Sequence, residues 1–326
     1  TGASEIVREN GGSVVQGFTV KEVLSEGSGA SSKITGVTGK FGGGRSDGPL
    51  MSFSSTVTIG AGGYNCPVSR KITDLYDEPH KDDYHFCGGY REYWENVDGL
   101  EGQEGQIEIH FIDEVLPGYF WLFPVKEGVV NVGIGMLISE QRKQKGMKKS
   151  LKKIQKWVIE EHPRLSRRFK GAKLVEGSEK GWQLPFGSPR KEAPSFQPRR
   201  GAMAGAMTVG DAASLVDPFS GEGIGNALLS GKLTSLHFDK TRHSEGFTQA
   251  DAEGYMVDLW NELGGELSNS KKLQSMMKWK RLTNWFVNKA SKKEEIGTMM
   301  SEMIASKETQ KSLWSPWFLF KTLVLP

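Results

Sequence analysis

The stretch that decides the fold spans residues 209–232 and reads VGDAASLVDPFSGEGIGNALLSGK. Small and apolar residues at 202–209 (AMAGAMTV) lead into it and predict a buried strand. The carboxylate of Asp211 therefore follows the carboxyl end of a strand, where open α/β sheets bind their ligands. Three glycines then open a predicted helix: Gly221, Gly223 and Gly225. Backbone amides at the start of such a helix can bind a polar or anionic group of a ligand. The spacing fits equally well an ordinary strand–loop–helix connection in which glycine is needed only for close packing.

The composition is that of a globular protein, and 326 residues give room for about two domains. Lys and Arg number 42 against 39 Asp and Glu, and this near balance argues against a dedicated nucleic-acid binder. Cys66 and Cys87 form neither a disulfide framework nor a thiolate zinc site, which indicates a reducing compartment. The six histidines are scattered without metal-ligand spacing, so no metal site is predicted.

The middle of the chain reads as an antiparallel meander, because short alternating strands are joined by turns that contain glycine or aspartate. A helix is predicted next, at 146–162, followed by one more strand at 180–186. We expect Phe219 to face this strand and the meander strand at 119–125.

Taken as a whole, residues 209–228 resemble the second flavin-contacting motif of FAD-dependent oxidoreductases related to the aromatic hydroxylases, and within them the geranylgeranyl reductase family. In that family the aspartate of the Gly-Asp pair holds the ribityl and pyrophosphate region, and the loop after it lies against the isoalloxazine. The resemblance implies FAD as the cofactor and assigns these cofactor-binding residues: Gly210, Asp211, Pro218, Gly221, Glu222, Gly223, Ile224, Gly225 and Asn226.

A second match covers residues 59–70 (IGAGGYNCPVSR), which are similar to the family's Gly-Ala-Asp-Gly-x-x-Ser-x-x-x-Arg element. Gly62 stands where that pattern has an aspartate that braces the site, and Cys66 stands where it often has serine. The resemblance adds three further cofactor-binding residues: Gly60, Ala61 and Gly63.

A third match covers residues 116–124 (LPGYFWLFP), which are similar to the Pro-x-x-Tyr-x-Trp-x-Phe-Pro strand that lines the lipid tunnel in geranylgeranyl reductases. Tyr119, Trp121 and Phe123 alternate, so they share one strand face and form an apolar wall. By spacing alone an ordinary core strand is the favoured interpretation. The resemblance implies that these three residues and Pro124 contact the substrate.

The resemblance implies a mixed α/β (α+β) fold. Its parts would be an incomplete Rossmann-like FAD-binding domain from 1–75 and 200–240, an inserted antiparallel-sheet substrate domain at 76–199, and a helical C-terminal region at 241–326. The family's opening strand–GxGxxG–helix unit is absent from the sequence, and the chain opens in a helical pattern. We therefore predict that roughly a hundred residues precede Thr1, since a βαβ unit alone needs about 30.

The function implied is saturation of C=C bonds in a geranylgeranyl or other prenyl lipid by hydride from reduced flavin. NAD(P)H or a ferredoxin-type protein would supply the electrons, and no side chain stands out as the proton donor. One alternative is an FAD-dependent monooxygenase of the same superfamily, and another is a lipid-binding relic without catalysis. We predict a soluble cytoplasmic protein, with peripheral membrane contact through the apolar tail at 314–326 as the alternative.

Overall fold

The computed structural model describes most of the chain up to residue 279. The described residues are 2–42, 48–100, 106–126, 128–146, 150–190 and 198–279, with the single positions 281, 284 and 288. The apolar tail at 314–326 and the later part of the predicted C-terminal helical region lie outside them. The described residues form three β-sheets and six α-helices, and the predicted α/β (α+β) class is confirmed.

The largest sheet has six antiparallel strands and corresponds to the predicted meander. In chain order its strands are β5 (Phe86–Glu95), β6 (Glu108–His110), β7 (Tyr119–Lys126), β8 (Val129–Leu137), β9 (Lys173–Leu174) and β10 (Lys180–Pro185). They lie in the order β10-β5-β8-β7-β6, and β9 pairs with β5. The alternation predicted for the middle of the chain and for 180–186 is therefore confirmed as strand structure.

One face of this sheet forms a core, because every second residue is apolar and buried. Phe120 and Leu122 of β7 lie on that face with Ile134 of β8. Helix α4 (Leu151–Glu160) packs against it through Ile154 and further residues at helical spacing. The other face is left for the residues that alternate with these. Period-two patterning thus divides the sheet into a core face and a face available to a ligand.

A second, smaller sheet carries the residues before Asp211. It contains β4 (Thr58–Gly60), β11 (Ala202–Met203) and β12 (Ala206–Thr208), with β4 parallel to β12. The single strand predicted at 202–209 is wrong: the segment folds into a tight hairpin around Gly205. Gly205 has φ +76°, and a Cβ atom there would lie 1.9 Å from the Ile34 carbonyl oxygen, so the turn requires glycine.

The remaining elements surround these two sheets. They are α1 (Gly2–Glu9), β1 (Phe18–Glu26), β2 (Lys33–Phe41), β3 (Met51–Ser54), α2 (Pro67–Leu75), α3 (Ile138–Lys143), α5 (Ile224–His237) and α6 (Gln249–Met276). Strands β1, β2 and β3 form the third sheet. Helix α6 packs against the small sheet, and its Tyr255 donates a hydrogen bond to the Thr208 carbonyl at 2.7 Å. This contact fixes the end of β12, from which the candidate site begins.

No helix within the described ranges combines the length and the apolar character needed to cross a membrane.

Candidate functional site

The chain turns sharply between β12 and the loop that leads to α5. Residues Gly210–Ala213 form one 3-10 turn, and Gly210 has φ +54°. A Cβ atom on Gly210 would lie 2.9 Å from the Cβ atom of Ala227 in α5. Glycine is therefore required here by its backbone conformation and by the close approach of the helix.

Asp211 lies in this turn, half-buried beside the N-terminus of α5. Its Oδ1 atom is 3.5 Å from the position that a Cβ atom on Gly223 would occupy. Burial raises the pKa of the Asp211 carboxyl group. Among the described residues no hydrogen-bond donor reaches this carboxylate, so its acceptor capacity is available to a ligand that bears hydroxyl groups.

The loop before α5 is shaped by Asp217, a buried residue that sequence reasoning missed. Its Oδ1 atom accepts hydrogen bonds from the Phe219 amide at 2.9 Å, the Ser220 amide at 2.7 Å and the Ser220 hydroxyl at 2.9 Å. Gly221 follows with φ +74°. An aspartate that bonds the backbone two and three residues ahead is typical of tight turns, and that signal could have identified Asp217.

A half-buried and a buried side chain, from distant parts of the chain, hold this loop by its carbonyl groups. Tyr119 of β7 donates its hydroxyl to the Ser220 carbonyl. Gln274 of α6, which is 2% exposed, donates its amide to the Pro218 carbonyl at 2.6 Å. The large sheet and the C-terminal helix therefore position the same loop. No local sequence signal marks Gln274, because its partner lies in another part of the chain.

Glu222 precedes α5, and the first turn of the helix contains three more of the predicted cofactor residues. Glu222, Ile224 and Gly225 are exposed, and Glu222 Oε1 accepts a hydrogen bond from the Gly225 amide at 2.7 Å. Asn226 is buried, and it donates to the Leu215 carbonyl at 2.8 Å. Ile224 is 78% exposed and Leu228 is 72% exposed, so the outer face of α5 is apolar. In this geometry Asn226 supports the preceding loop, whereas the other three lie at the surface.

The two predicted cofactor motifs meet at one end of the small sheet. Gly60 pairs with Thr208 in the parallel ladder, and the Val209 amide donates to the Gly60 carbonyl at 3.1 Å. A Cβ atom on Gly60 would lie 2.9 Å from the sulfur of Cys66, so packing alone accounts for this glycine. Among the other predicted positions, Ala61 is exposed and Gly63 has φ +68°.

The structure places Tyr119, Trp121 and Phe123 on the face of the large sheet opposite its core face. The Trp121 ring lies 5.9 Å from that of Tyr119 and 5.8 Å from that of Phe123. Trp121 donates its indole N–H to Asn131 Oδ1 at 3.1 Å, which fixes the ring over β8. Pro124 alternates with these residues and lies outside the aromatic row.

A cavity of about 190 Å³ is lined on one side by this aromatic row and on another by the loop that Asp217 shapes. Its lining includes Leu184, Phe186 and Phe219, so the facing expected between Phe219 and the two strands is observed. No carboxylate, histidine, lysine or arginine lines it among the described residues. Burial raises the pKa of the Cys87 thiol to about 12 and also raises the pKa of Tyr119, so both groups stay protonated and neutral. The cavity suits an apolar ligand.

The chain is similar in sequence to known reductases. A model of the geranylgeranyl reductase catalytic domain matches residues 84–171, which include most of the large sheet. The digeranylgeranylglycerophospholipid reductase of Picrophilus torridus is 29% identical over 224 residues, or 69% of this chain and 46% of that protein. The menaquinone reductase of Mycolicibacterium smegmatis is 32% identical over 127 residues, or 37% of this chain and 26% of that protein. The chain thus spans less than half of these relatives.

Solved structures support the same fold. A geranylgeranyl bacteriochlorophyll reductase-like protein from Thermoplasma acidophilum superposes with a TM-score of 0.66 at 20% identity, covering 91% of this chain and 68% of that one. A flavin-dependent brominase gives a TM-score of 0.56 at 18% identity, covering 78% of this chain and 57% of that one. Residues 84–171 thus match the geranylgeranyl reductase catalytic domain, the chain is similar in sequence to the named reductases, and it shares the fold of these solved flavoprotein structures.

Proposed function

We propose that this protein contributes the lipid-binding site and part of the FAD-binding site of a reductase that saturates C=C bonds in a geranylgeranyl or related prenyl lipid. The observation that carries the proposal is the apolar cavity between the Tyr119–Trp121–Phe123 row and the loop that leads from Asp211 to α5. A lipid site and a predicted flavin site are thereby adjacent. The names of the relatives, which include a digeranylgeranylglycerophospholipid reductase, support a lipid substrate.

The residues at the end of the small sheet fit FAD. The half-buried Asp211 carboxylate has no protein donor within the described residues, and the ribityl or ribose hydroxyls of FAD would donate to it. Gly223 places no side chain between that carboxylate and the N-terminus of α5, where the Gly225 amide is already bonded to Glu222 Oε1, so Asp211 would be the main polar contact to FAD at this point. When bound, FAD supplies the two-electron reduction of the substrate.

The protein's own residues orient the prenyl lipid and exclude water. Trp121 is held flat by Asn131 and presents its ring to the cavity, while the bond from Tyr119 fixes the facing loop. Because the lining holds no charged group, a C=C bond enters without the cost of removing a charge from water. Cys87 holds its proton at Sγ and Tyr119 holds its proton at Oη, but we assign the catalytic proton to neither.

The division into a discontinuous FAD-binding domain (1–75 and 200–240), a substrate domain (76–199) and a C-terminal region (241–326) is part of this proposal. The electron donor would be NAD(P)H or a ferredoxin-type protein. Peripheral contact with a membrane through the tail at 314–326 belongs to the same proposal, since the lipid substrate has to enter from one.

The cofactor part of the proposal is tested by FAD titration of the protein and of Asp211→Asn. We expect the variant to raise the Kd for FAD about ten- to a hundredfold, since hydrogen bonds to a charged group are lost. The unfolding free energy should stay within about 0.5 kcal/mol, because no group in the described part of the chain donates to that carboxylate. Asp74→Asn, which changes an exposed carboxylate on α2, is the matched control.

Three outcomes would contradict the proposal. Equal FAD affinity of the protein and Asp211→Asn would remove Asp211 from the cofactor site. A protein that binds prenyl lipids but no FAD would be the non-catalytic lipid binder. Oxygen-dependent NAD(P)H oxidation stimulated by an aromatic substrate, with no saturation of a prenyl lipid, would identify the monooxygenase instead.

A further inference from the structure

Lys271 of α6 begins a chain of hydrogen bonds that leads into the wall of the cavity of about 190 Å³. Its half-buried ammonium group donates to Gln274 Oε1 at 3.0 Å and to the Tyr84 carbonyl at 3.2 Å. Gln274 Nε2 then donates to the Pro218 carbonyl at 2.6 Å. Gln274 and Pro218 both line the cavity, whereas Lys271 is not among the described residues that line it. Lys271 therefore acts on the cavity through Gln274.

The two groups on either side of Gln274 determine how its amide points. An ammonium group has three N–H donors and no acceptor, and a carbonyl oxygen only accepts. One orientation of the amide satisfies both, with Oε1 towards Lys271 and Nε2 towards the Pro218 carbonyl. Gln274 is 2% exposed, so bulk water cannot replace either partner. Without the ammonium group, Oε1 would be a buried acceptor that has lost its donor, which is unfavourable.

The charged groups that face Lys271 do not account for its position. Asp82 forms an ion pair with Arg190 at 3.1 Å, and Glu140 of α3 forms one with Lys278 at 3.0 Å. No carboxylate in the described part of the chain forms an ion pair with Lys271 itself. Its hydrogen bonds go to two neutral oxygens instead. A partly buried cation is thus held by the groups that connect α6 with the loop and with the start of β5.

We propose that Lys271 is a positioning residue of the lipid site, which orients Gln274 and thereby holds the loop at 217–221 in place over the cavity. The loop contributes Pro218, Phe219 and Gly221 to the lining, so a shift of the loop changes the surface against which a prenyl chain packs. This inference rests on the proposed function, because the ligand is the proposed prenyl lipid.

The experiment measures binding of geranylgeraniol by quenching of tryptophan fluorescence, which needs no turnover. Lys271→Met removes the ammonium group and keeps a long unbranched side chain, whereas Lys271→Arg keeps a cation that only donates. Lys272→Met is the matched control, because Lys272 is the next residue of the same helix and is exposed. Circular dichroism shows whether each variant is folded under the conditions of the assay.

Lys271→Met should raise the Kd for geranylgeraniol about three- to tenfold, since the loop loses about one net hydrogen bond that holds it in its binding position. Lys271→Arg and Lys272→Met should each change the Kd by less than about twofold. Introduced into Gln274→Leu, Lys271→Met should have no further effect on the Kd, because the side chain through which Lys271 acts is gone.

The pH dependence of binding gives a readout that a purely structural role would not produce. Burial and the neighbouring cations Lys278 and Arg190 lower the pKa of Lys271 to about 8. Above that pH the neutral amine can also accept a hydrogen bond, so it no longer enforces one orientation of the Gln274 amide. The affinity for the uncharged geranylgeraniol should therefore fall between about pH 7 and pH 9 in the parent protein, and Lys271→Arg should abolish this fall.

Four results would overturn the inference and leave the proposed function intact. They are equal effects of Lys271→Met and Lys272→Met on the Kd, an undiminished effect of Lys271→Met in the Gln274→Leu protein, Lys271→Arg binding as weakly as Lys271→Met, and the same pH dependence in Lys271→Arg as in the parent. A parent protein that binds no geranylgeraniol would overturn the proposed function, and this inference would fail with it.

Discussion

Tyr119→Phe removes one hydroxyl group and leaves the aromatic wall of the cavity in place. In the structure that hydroxyl donates to the Ser220 carbonyl and anchors the loop to β7. The next residue of the loop also lies near this group, since a Cβ atom on Gly221 would lie 3.0 Å from the Tyr119 hydroxyl oxygen. We call the hydrogen bond between the Tyr119 hydroxyl and the Ser220 carbonyl the tether. The variant removes the tether and keeps the packing of the Tyr119 ring, so the two effects are separated.

The expected cost follows from the partial burial of both partners. A typical internal hydrogen bond contributes about 0.5–1.5 kcal/mol net, and a buried carbonyl left without a donor costs about 1–3 kcal/mol. We expect Tyr119→Phe to lower the free energy of unfolding by about 1–2 kcal/mol, because Gln274 still holds the adjacent Pro218 carbonyl. Since only one loop is affected, the denaturant dependence of that free energy should not change.

Urea unfolding followed by circular dichroism measures this cost. Tyr84→Phe is the matched control, because Tyr84 is 63% exposed and should change stability by less than about 0.5 kcal/mol. A double-mutant cycle with Gln274→Leu should show a coupling of at least about 0.5 kcal/mol, since both side chains hold one loop. A Tyr119→Phe protein as stable as Tyr84→Phe, or strictly additive effects in the cycle, would refute the role of the tether.

Three further predictions concern other residues. Gly133→Ala should destabilise the protein by about 1–3 kcal/mol in urea unfolding and shift the tryptophan emission, because the new methyl group displaces Trp121; Gly171→Ala should do neither. Burial and neighbouring cations lower the pKa of His80 to about 3 in the folded protein. As the pH falls, His80 is therefore protonated in the unfolded chain before it is protonated in the folded protein. Stability should therefore fall as the pH drops from about 6.5 towards 3, and unfolding curves for His80→Gln should show a weaker dependence. Burial raises the pKa of Cys87 to about 12, so a thiol reagent at pH 8 should modify it only after denaturation; rapid modification of the native protein would contradict the buried, neutral thiol.

Much of the secondary structure could be predicted from local sequence patterns. Alternation predicted the strands of the large sheet and the shared face of Tyr119, Trp121 and Phe123, because a residue's side in a strand depends only on its position in the strand. The hairpin at 202–209 was missed, since its alanine-rich residues fit one strand as well as two. Gly205 was the available signal for a turn there.

The site was less predictable where it depends on contacts between distant segments. Gln274 donates a hydrogen bond to the Pro218 carbonyl from a distant helix, and the sequence around Gln274 contains no pattern that predicts this bond. Asn226 belongs to a recognised motif, yet its amide points at the Leu215 carbonyl, which only the packing of α5 reveals. The sequence around Gly89 does not indicate its surroundings, since the strand register pairs it with Trp182 on one side and with Gly135 on the other.

The central claim is that a prenyl lipid in the aromatic cavity lies beside a flavin held at Asp211 and the loop before α5. The most direct measurement reduces the FAD-loaded protein anaerobically and then adds a geranylgeranyl lipid. The account predicts that the oxidised-flavin absorbance returns while one C=C bond of the lipid is saturated for each flavin reoxidised. A reduced flavin that stays reduced with the lipid bound would contradict it.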